Sequence, residues 1–310
     1  MKPKAETRPF LFILFFVLST VFYTFFRLPN LTNLPVFGDE AIYIRWAQLI
    51  RNVETLRFIP LTDGKQPLYM WLTAIALKTI PEPLFAGRLV SLFAGYLTML
   101  FAAAIVCLLL NESQSETNPL IYFFRSLIAK PKVFIISCLA YTVIPFFFFF
   151  DRLALADSLL NLFGASSLLL FILLCRYPRL DLSLLLGFSL GLAALTKSPS
   201  VYFFILSACF FLVFASCSFS LRLIYSFTFL LVGQLIYAIL RLGPQFHQIA
   251  ARNLDYVWPL SRLFTSPLDP LIPHLRDIVH IFGFYLTLPI VIVALAVIFN
   301  YLKQPKKPYS

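Results

Sequence analysis

Two neighbouring acids and a later lysine are the residues of this chain best suited to chemistry. Asp39 and Glu40 stand in FGDEAIYIRWAQ, and Lys65 opens KQPLYMWL, 26 positions after Asp39 (65 − 39). A carboxylate held in place can act as a general base toward a hydroxyl or an amine. A lysine ammonium can bind a phosphate while its aliphatic stem lies on apolar surface. Plainer roles also fit: acids after Gly38 suit the start of a helix, and most loop lysines are solvated.

Three further cations stand at the ends of apolar segments. They are Arg88 in FAGRLVSLFAG, Arg152 in DRLALAD and Lys197 in GLAALTKSP. Each has an alternative role. Arg88 can snorkel toward the membrane surface, Arg152 can pair with Asp151 or Asp157, and Lys197 suits the negative end of a helix. The significance of Asp39, Lys65 and these three cations is that all five fall on one predicted face of the membrane.

The composition places most of the chain in lipid. Of its 310 residues 60% are hydrophobic, 17% aromatic and only 13% charged, with 36 phenylalanines, more apolar surface than a soluble domain hides. A spanning helix needs about 20 apolar residues. The sequence therefore predicts an all-α, polytopic membrane protein with one domain over 1–310, about eight transmembrane helices and no separate C-terminal soluble domain. The predicted spans are 10–26, 86–110, 133–150, 158–175, 181–196, 200–216, 219–240 and 279–302.

The charge distribution predicts the orientation. The side with the N-terminus and segments 111–132, 176–180, 217–223 and 303–310 carries twelve of the 25 basic residues. Counting Asp181 at the edge of the next span, it carries four of the 14 acidic ones. Short loops rich in Lys and Arg favour the cytoplasm. We therefore expect a multi-pass protein of the cell membrane with both termini cytoplasmic and Asp39 outside.

The two long outer segments are predicted to differ in character. In 27–85, apolar residues recur with helical spacing from Ala41 to Ile50, and 66–80 is apolar but too short to cross a bilayer. We predict interfacial helices for both, separated by a turn at Asp63-Gly64. The second outer segment, 243–278, is rich in proline and carries several arginines.

The sequence gives no support to several other classes of function. The net charge of +11 is largely explained by topology, so nucleic acid is not an expected partner. His247, His274 and His280 lack metal-ligand spacing, and the five cysteines form no pattern. No Gly-rich phosphate loop is present. We expect neither a metal nor another cofactor.

Five motifs in a fixed order resemble those of a known superfamily. GDEAIYIRWAQ, KQPLYMWLTAIAL, AGRLVSLFAGYLTMLF, DRLALADSLLNLF and GLAALTKSP together resemble the bacterial branch of the GT-C membrane glycosyltransferases. These are relatives of the dolichyl-phosphate-mannose protein mannosyltransferases and of the lipid A aminoarabinose transferase. The resemblance covers about residues 8–215. It implies transfer of a sugar from a polyprenyl-phosphate donor to an extracytoplasmic glycan, lipid or protein acceptor, with inversion at the anomeric carbon.

The resemblance also assigns roles to individual residues. Asp39 matches the essential acid of the family, with Glu40 beside it. Lys65 matches the basic residue that reaches the donor phosphate, and Arg88, Arg152 and Lys197 match recurrent basic positions facing the cavity. Together with Asp39 and Glu40 they form the predicted site.

Two departures from the family pattern leave alternatives open. Gln66 replaces the first proline of the usual Pro-Pro pair, and the chain is shorter than family members commonly are. It is therefore a short subtype, a truncated reading frame or half of a split gene. The alternative functions are a transporter or flippase of a lipid-linked sugar, which would place ionisable groups at mid-bilayer, and a non-catalytic truncated relative.

The predicted topology is tested by labelling single cysteines in a variant that lacks the five native ones. A membrane-impermeant maleimide added from outside should modify Asp39→Cys and Lys65→Cys but leave Lys132→Cys unmodified until the membrane is permeabilised, since Lys132 is on the predicted cytoplasmic side. Modification of positions 39 and 65 from opposite sides would contradict a shared site.

Overall fold

Helices and their connecting turns account for the residues that the structure describes, and no strand occurs among them. This computed structural model describes residues 7–111, 116–255, 260–269, 271–292 and 295–296. The all-α class predicted from composition is confirmed.

The helices follow one another with short connections. In chain order they are α1 Thr7–Arg27, α2 Gly38–Asn52, α3 Leu68–Ala76, α4 Pro83–Leu109, α5 Pro119–Ala129, α6 Pro131–Val143, α7 Pro145–Phe150, α8 Ala156–Arg176, α9 Leu180–Thr196, α10 Val201–Phe214, α11 Phe219–Tyr237, α12 Gln248–Leu254, α13 Leu260–Thr265 and α14 Leu271–Tyr285. Short 3-10 turns lie at Glu54–Leu56, Ile59–Asp63, Ser198–Ser200 and Ala238–Leu242.

Four helices of the described chain are long and apolar enough to cross a membrane: α1, α4, α8, and α11 with its extension to Leu242. Helices α5 and α6 reach that length only as a pair, and they are bent by 82° relative to each other. Helix α9 has 17 residues and α10 has 14, which is short for a bilayer. The described residues thus include the helices of a membrane protein, with four spans by length and composition, or five if the bent pair is one span.

Two of the eight predicted spans differ from the observed helices. The segment 133–150 is divided, because α6 ends at Val143 and a separate helix begins at Pro145. Proline lacks an N–H and disfavours the helical conformation in the residue before it, so Ile144 is extended. The predicted span 279–302 begins inside α14, and its residues 293–294 and 297–302 lie outside the described part.

Large apolar side chains cover the outer faces of the bundle. Phe10 on α1, Ile205 on α10 and Phe227 on α11 are each more than half exposed. Water would penalise such surfaces, whereas lipid does not, so the exposure agrees with the membrane character of the helices.

The bundle core forms where α4, α6, α8, α9 and α11 pack together. Helices α9 and α11 approach closely at Gly187, where a Cβ atom would lie 2.7 Å from the backbone oxygen of Phe229. Small residues permit such contacts between helices in lipid, where van der Waals packing drives association.

A second core joins the predicted interfacial helices to the bundle. Tyr43 and Ile44 of α2 pack with Tyr69 and Met70 of α3, and the same cluster includes Leu153 from the α7–α8 connection. Both segments predicted as helices from apolar spacing are therefore helical. The buried side chains of this cluster pack both helices against the bundle, which fixes α2 and α3 relative to it.

Substitution of Gly95 tests the close packing of α4 against the α7–α8 connection. A Cβ at this position would lie 2.3 Å from the Asp151 carboxyl carbon, so Gly95→Ala must displace a buried, ion-paired acid. We expect the free energy of unfolding in detergent micelles to fall by about 3 kcal/mol or more. The matched control is Gly38→Ala, because a Cβ there meets no atom within 4 Å. Equal effects of the two substitutions would contradict this packing.

Candidate functional site

The first turn of α2 directs two adjacent acids in different directions. The helix begins at Gly38, and the Glu40 carboxylate accepts a hydrogen bond of 2.9 Å from the backbone N–H of Phe37. Acids in the first turn also favour the positive end of the helix dipole. Glu40 is fully buried, whereas the Asp39 side chain is 45% exposed. At the start of α2, Glu40 thus caps the helix while the Asp39 carboxylate is exposed.

Glu40 forms a buried, bidentate ion pair with Arg88 of α4. The two Glu40 oxygens accept from Arg88 Nε at 2.9 Å and from Nη2 at 2.8 Å, and both side chains are 0% exposed. Such forked pairs are among the stronger hydrogen-bonded interactions in proteins. Burying two charges is costly unless their remaining hydrogen-bonding capacity is satisfied.

Backbone groups satisfy that capacity. Arg88 donates to the carbonyl oxygens of Leu31, Leu34 and Pro35, and Glu40 accepts a bond of 2.6 Å from the N–H of Ala154. Burial by itself raises the pKa of Glu40, but the hydrogen bonds from Arg88 and the two backbone N–H groups outweigh it and lower that pKa. Glu40 is therefore ionised at neutral pH and holds α2 on the bundle.

A second buried ion pair lies beside the first. Arg27, at the end of α1, places Nε 3.4 Å from Asp151 and donates to the carbonyl oxygens of Tyr141 and Thr142. The Asp151 carboxylate also accepts from Tyr23, Tyr141 and Ser158. This cluster connects α1, α6 and α8 behind the α7–α8 connection.

Asp39 and Lys65 face a cavity of about 550 Å³, called here the first cavity. Lys65 Nζ lies 2.9 Å from Asp39 Oδ1 and 3.5 Å from Asp63 Oδ2. It also lies 5.0 Å from the ring centroid of Tyr43, a cation–π distance. Burial, together with the nearby Asp39 carboxylate, raises the pKa of Tyr43. Its hydroxyl therefore stays protonated near neutral pH.

The opposite wall of the first cavity supplies a second lysine. Lys197, just after α9, places Nζ 2.7 Å from Asp157 Oδ1 in the first turn of α8. The Gln66 side-chain amide donates to the Ser198 hydroxyl at 2.7 Å and so joins the Lys65 turn to this wall. Two lysines from distant parts of the chain therefore line one cavity.

The C-terminal part of the described chain closes the rim beside Lys65. Gly64 is left-handed (φ +64°), and a Cβ on it would lie 2.5 Å from the backbone oxygen of Gln248. Arg252 of α12 places Nη1 3.2 Å from Asp63 Oδ1. Only glycine fits this crossing without displacement, since both the backbone conformation and the space exclude a side chain.

The six predicted site residues divide into two groups. Asp39, Lys65 and Lys197 line the first cavity. Glu40 and Arg88 do not line it, because they saturate each other in the buried pair. Arg152 does not line it either, because it donates to the carbonyl oxygens of the 29–30 turn. The expectation that Arg88 and Arg152 face the same cavity as Lys65 is therefore corrected, and their observed contacts are structural.

Sequence reasoning missed four residues that belong to the cavity or its rim. Tyr43 follows Asp39 by four positions on a helix and so shares its face, a signal that was readable. The sequence indicates Asp63 only as part of a turn. It indicates Gln66 only as a departure from the family motif. Arg252 comes close to Asp63 across 189 positions of sequence, which no local pattern indicates.

The cavity contains groups suited to anion binding and proton transfer. Each lysine is paired with a carboxylate, and both pairs are partly exposed, so an anionic ligand can replace the carboxylates without moving buried charges. Within the described ranges, no group of three His, Cys, Asp or Glu side chains could hold a metal ion.

Comparison with family models, with curated proteins and with solved structures gives no match to this chain.

The buried pair is tested by comparing it with an exposed one. Glu40→Gln or Arg88→Met should lower the free energy of unfolding by about 3–5 kcal/mol, because each leaves a buried charge without its partner. At the exposed Arg179–Asp181 pair, Asp181→Asn should cost far less, because solvent screens the interaction. The loss in Glu40→Gln should shrink as acid protonates Glu40 in the wild type, since its lowered pKa confines its contribution to higher pH.

The double substitution Glu40→Leu with Arg88→Met is the control for the desolvation argument. Removing both charges should restore part of the stability, since no unpaired charge remains. Chemical denaturation in micelles measures all of these variants. A Glu40→Gln effect no larger than that of Asp181→Asn would contradict the role of the pair.

Proposed function

We propose that the protein is a membrane glycosyltransferase that transfers a sugar from a polyprenyl-phosphate donor to an extracytoplasmic acceptor, with inversion. The observation that carries the proposal is the 2.9 Å contact of Asp39 with Lys65 in a cavity that Lys197 also lines. An acid and two lysines supply a base and cationic stabilisation of the leaving phosphate, and they also match the family that the sequence resembles.

The two lysines would bind the donor phosphate. In the transition state the bond between the anomeric carbon and the phosphate oxygen breaks, and negative charge grows on the leaving polyprenyl phosphate. Fixed ammonium groups stabilise that charge, and the phosphate leaves without needing a proton. Lys65 is held by the Tyr43 ring and by two carboxylates, so its position is largely set before the donor binds.

Asp39 would act as the general base. The acceptor oxygen or nitrogen attacks the anomeric carbon from the face opposite the phosphate, and its proton passes to the Asp39 carboxylate. Donor binding prepares this step, because a phosphate that attracts Lys65 weakens the contact that otherwise neutralises Asp39. Release of Lys65 from Asp39 thus prepares both groups. The lysine can bind the leaving phosphate, and the carboxylate can accept the proton.

The prenyl chain has an apolar surface beside the cavity. Val201 and Tyr202 line the cavity and are 51% and 63% exposed. Ile205 and Leu206 continue the exposed face along α10. A polyprenyl tail on this face would keep its carbons in lipid while the phosphate enters the polar cavity.

The proposal includes the finer topology predicted from charge. The protein would lie in the cell membrane with both termini cytoplasmic and the first cavity outside. Helices α9 and α10, although short, would count among about eight membrane-embedded segments. Glu40, Arg88 and Arg152 would support the site without touching substrate.

The roles are tested with Asp39→Asn and with Asp63→Asn as the matched control, since both acids contact Lys65. Purified full-length protein is incubated with synthetic polyprenyl-phosphate sugars and with membrane extract as the source of acceptors. Mass spectrometry measures released polyprenyl phosphate and glycosylated acceptor. Asp39→Asn should lower turnover at least about 100-fold, as expected for a lost general base, while Asp63→Asn keeps most of it.

The other outcomes are equally decisive. Near-normal turnover by Asp39→Asn would reject Asp39 as the base. Donor binding without sugar transfer by the wild type would favour a non-catalytic subunit. Movement of the intact donor across liposomes would favour a flippase. No binding of any donor would reject the proposal.

A further inference from the structure

A second cavity of about 550 Å³ lies on another face of the same two helices. It is formed by the end of α2, the turn after it, α3 and the Ala238–Leu242 turn. None of its lining residues lines the first cavity. The second cavity therefore needs an explanation of its own.

Its charge is unbalanced. Arg51, Arg57 and Lys78 line the second cavity, and Glu54 is the one acid among its lining residues. Among the described residues, no carboxylate lies within 4.0 Å of the nitrogen atoms of these three cations. In the first cavity, by contrast, both lysines are paired with acids. The second cavity thus presents three cations that a ligand with negative charge would complement.

The cations stand beside an apolar border. Ile75 and Leu242 are 60% and 75% exposed at the edge of the cavity. Trp71 donates its indole N–H to the backbone oxygen of Arg57 at 2.6 Å, which fixes the turn that carries this arginine. A tryptophan between apolar and cationic groups is typical of the membrane–water interface.

We propose that the second cavity binds the phosphodiester head group of an anionic membrane phospholipid. The phosphate would lie among Arg51, Arg57 and Lys78, and the acyl chains would extend over Ile75 and Leu242. The charge favours an anionic lipid over a zwitterionic one, and the exposed apolar border favours a lipid over a soluble phosphate. This site is independent of the proposed sugar transfer.

Native mass spectrometry of the full-length protein tests the proposal, with phosphatidylglycerol and phosphatidylcholine as probes. We expect phosphatidylglycerol to bind at least about tenfold more tightly, because each nearby cation contributes about fivefold to the attraction of an anionic lipid. Raising the salt concentration from about 50 to about 500 mM should weaken phosphatidylglycerol binding and leave phosphatidylcholine binding unchanged.

The double variant Arg51→Gln with Lys78→Gln should lose at least about tenfold in phosphatidylglycerol affinity. Both residues are exposed, and neither side chain makes an ion pair within the described part of the chain, so the variant should keep its thermal stability. Lys132→Gln is the matched control, since Lys132 is exposed on α6 and lines neither cavity. Its binding should equal that of the wild type.

Three results would overturn the proposal. The first is equal affinity for the two lipids. The second is a double variant that binds phosphatidylglycerol as well as Lys132→Gln does. The third is competition by glycerol phosphate at the same concentration as the lipid, which would indicate a site for a soluble phosphate.

Discussion

The buried pair of Glu40 and Arg88 is the interaction on which the rest of the site depends. It uses both carboxylate oxygens and several guanidinium donors, and nearby backbone groups occupy the remaining positions. Because no part of the pair is left unsatisfied, it can persist in an apolar interior. It fixes the start of α2 on α4, so Asp39, one residue earlier, is directed outward in a single orientation. The buried Glu40 thus determines where the exposed Asp39 carboxylate lies.

The short connection between α7 and α8 carries this constraint across the protein. Three of its residues contact three different parts of the protein. Asp151 meets Arg27 in the second buried pair, the N–H of Ala154 meets Glu40, and Asp157 meets Lys197 at the first cavity. Seven consecutive positions therefore link the two buried pairs to the cavity wall. A shift of this segment would move Asp157, the partner of Lys197, and so change the spacing of the two lysines.

Local patterns predicted the helices well and the contacts poorly. The start of α2 and the helical character of α3 follow from capping residues and apolar spacing, which act over a few positions. Pro145 indicates that the helix predicted over 133–150 is divided. A count of apolar residues alone does not reveal a helix break of this kind. Local sequence patterns do not predict that Glu40 is the partner of Arg88. The two residues are 48 positions apart and are brought together by the packing of separate helices. Cations on one predicted face therefore proved to differ in burial and in partners.

The close approach of Gly64 to the backbone of Gln248 determines when the cavity rim can form during synthesis. Asp63 and Arg252 are separated by 189 positions, and Gly64 packs against the backbone of the same late segment. A ribosome delivers chain at roughly 5–20 residues per second, and early parts fold first. The turn that carries Lys65 therefore leaves the ribosome before the late segment that forms the cavity rim has been synthesised. The first cavity is complete only after residues 248–253 have been synthesised.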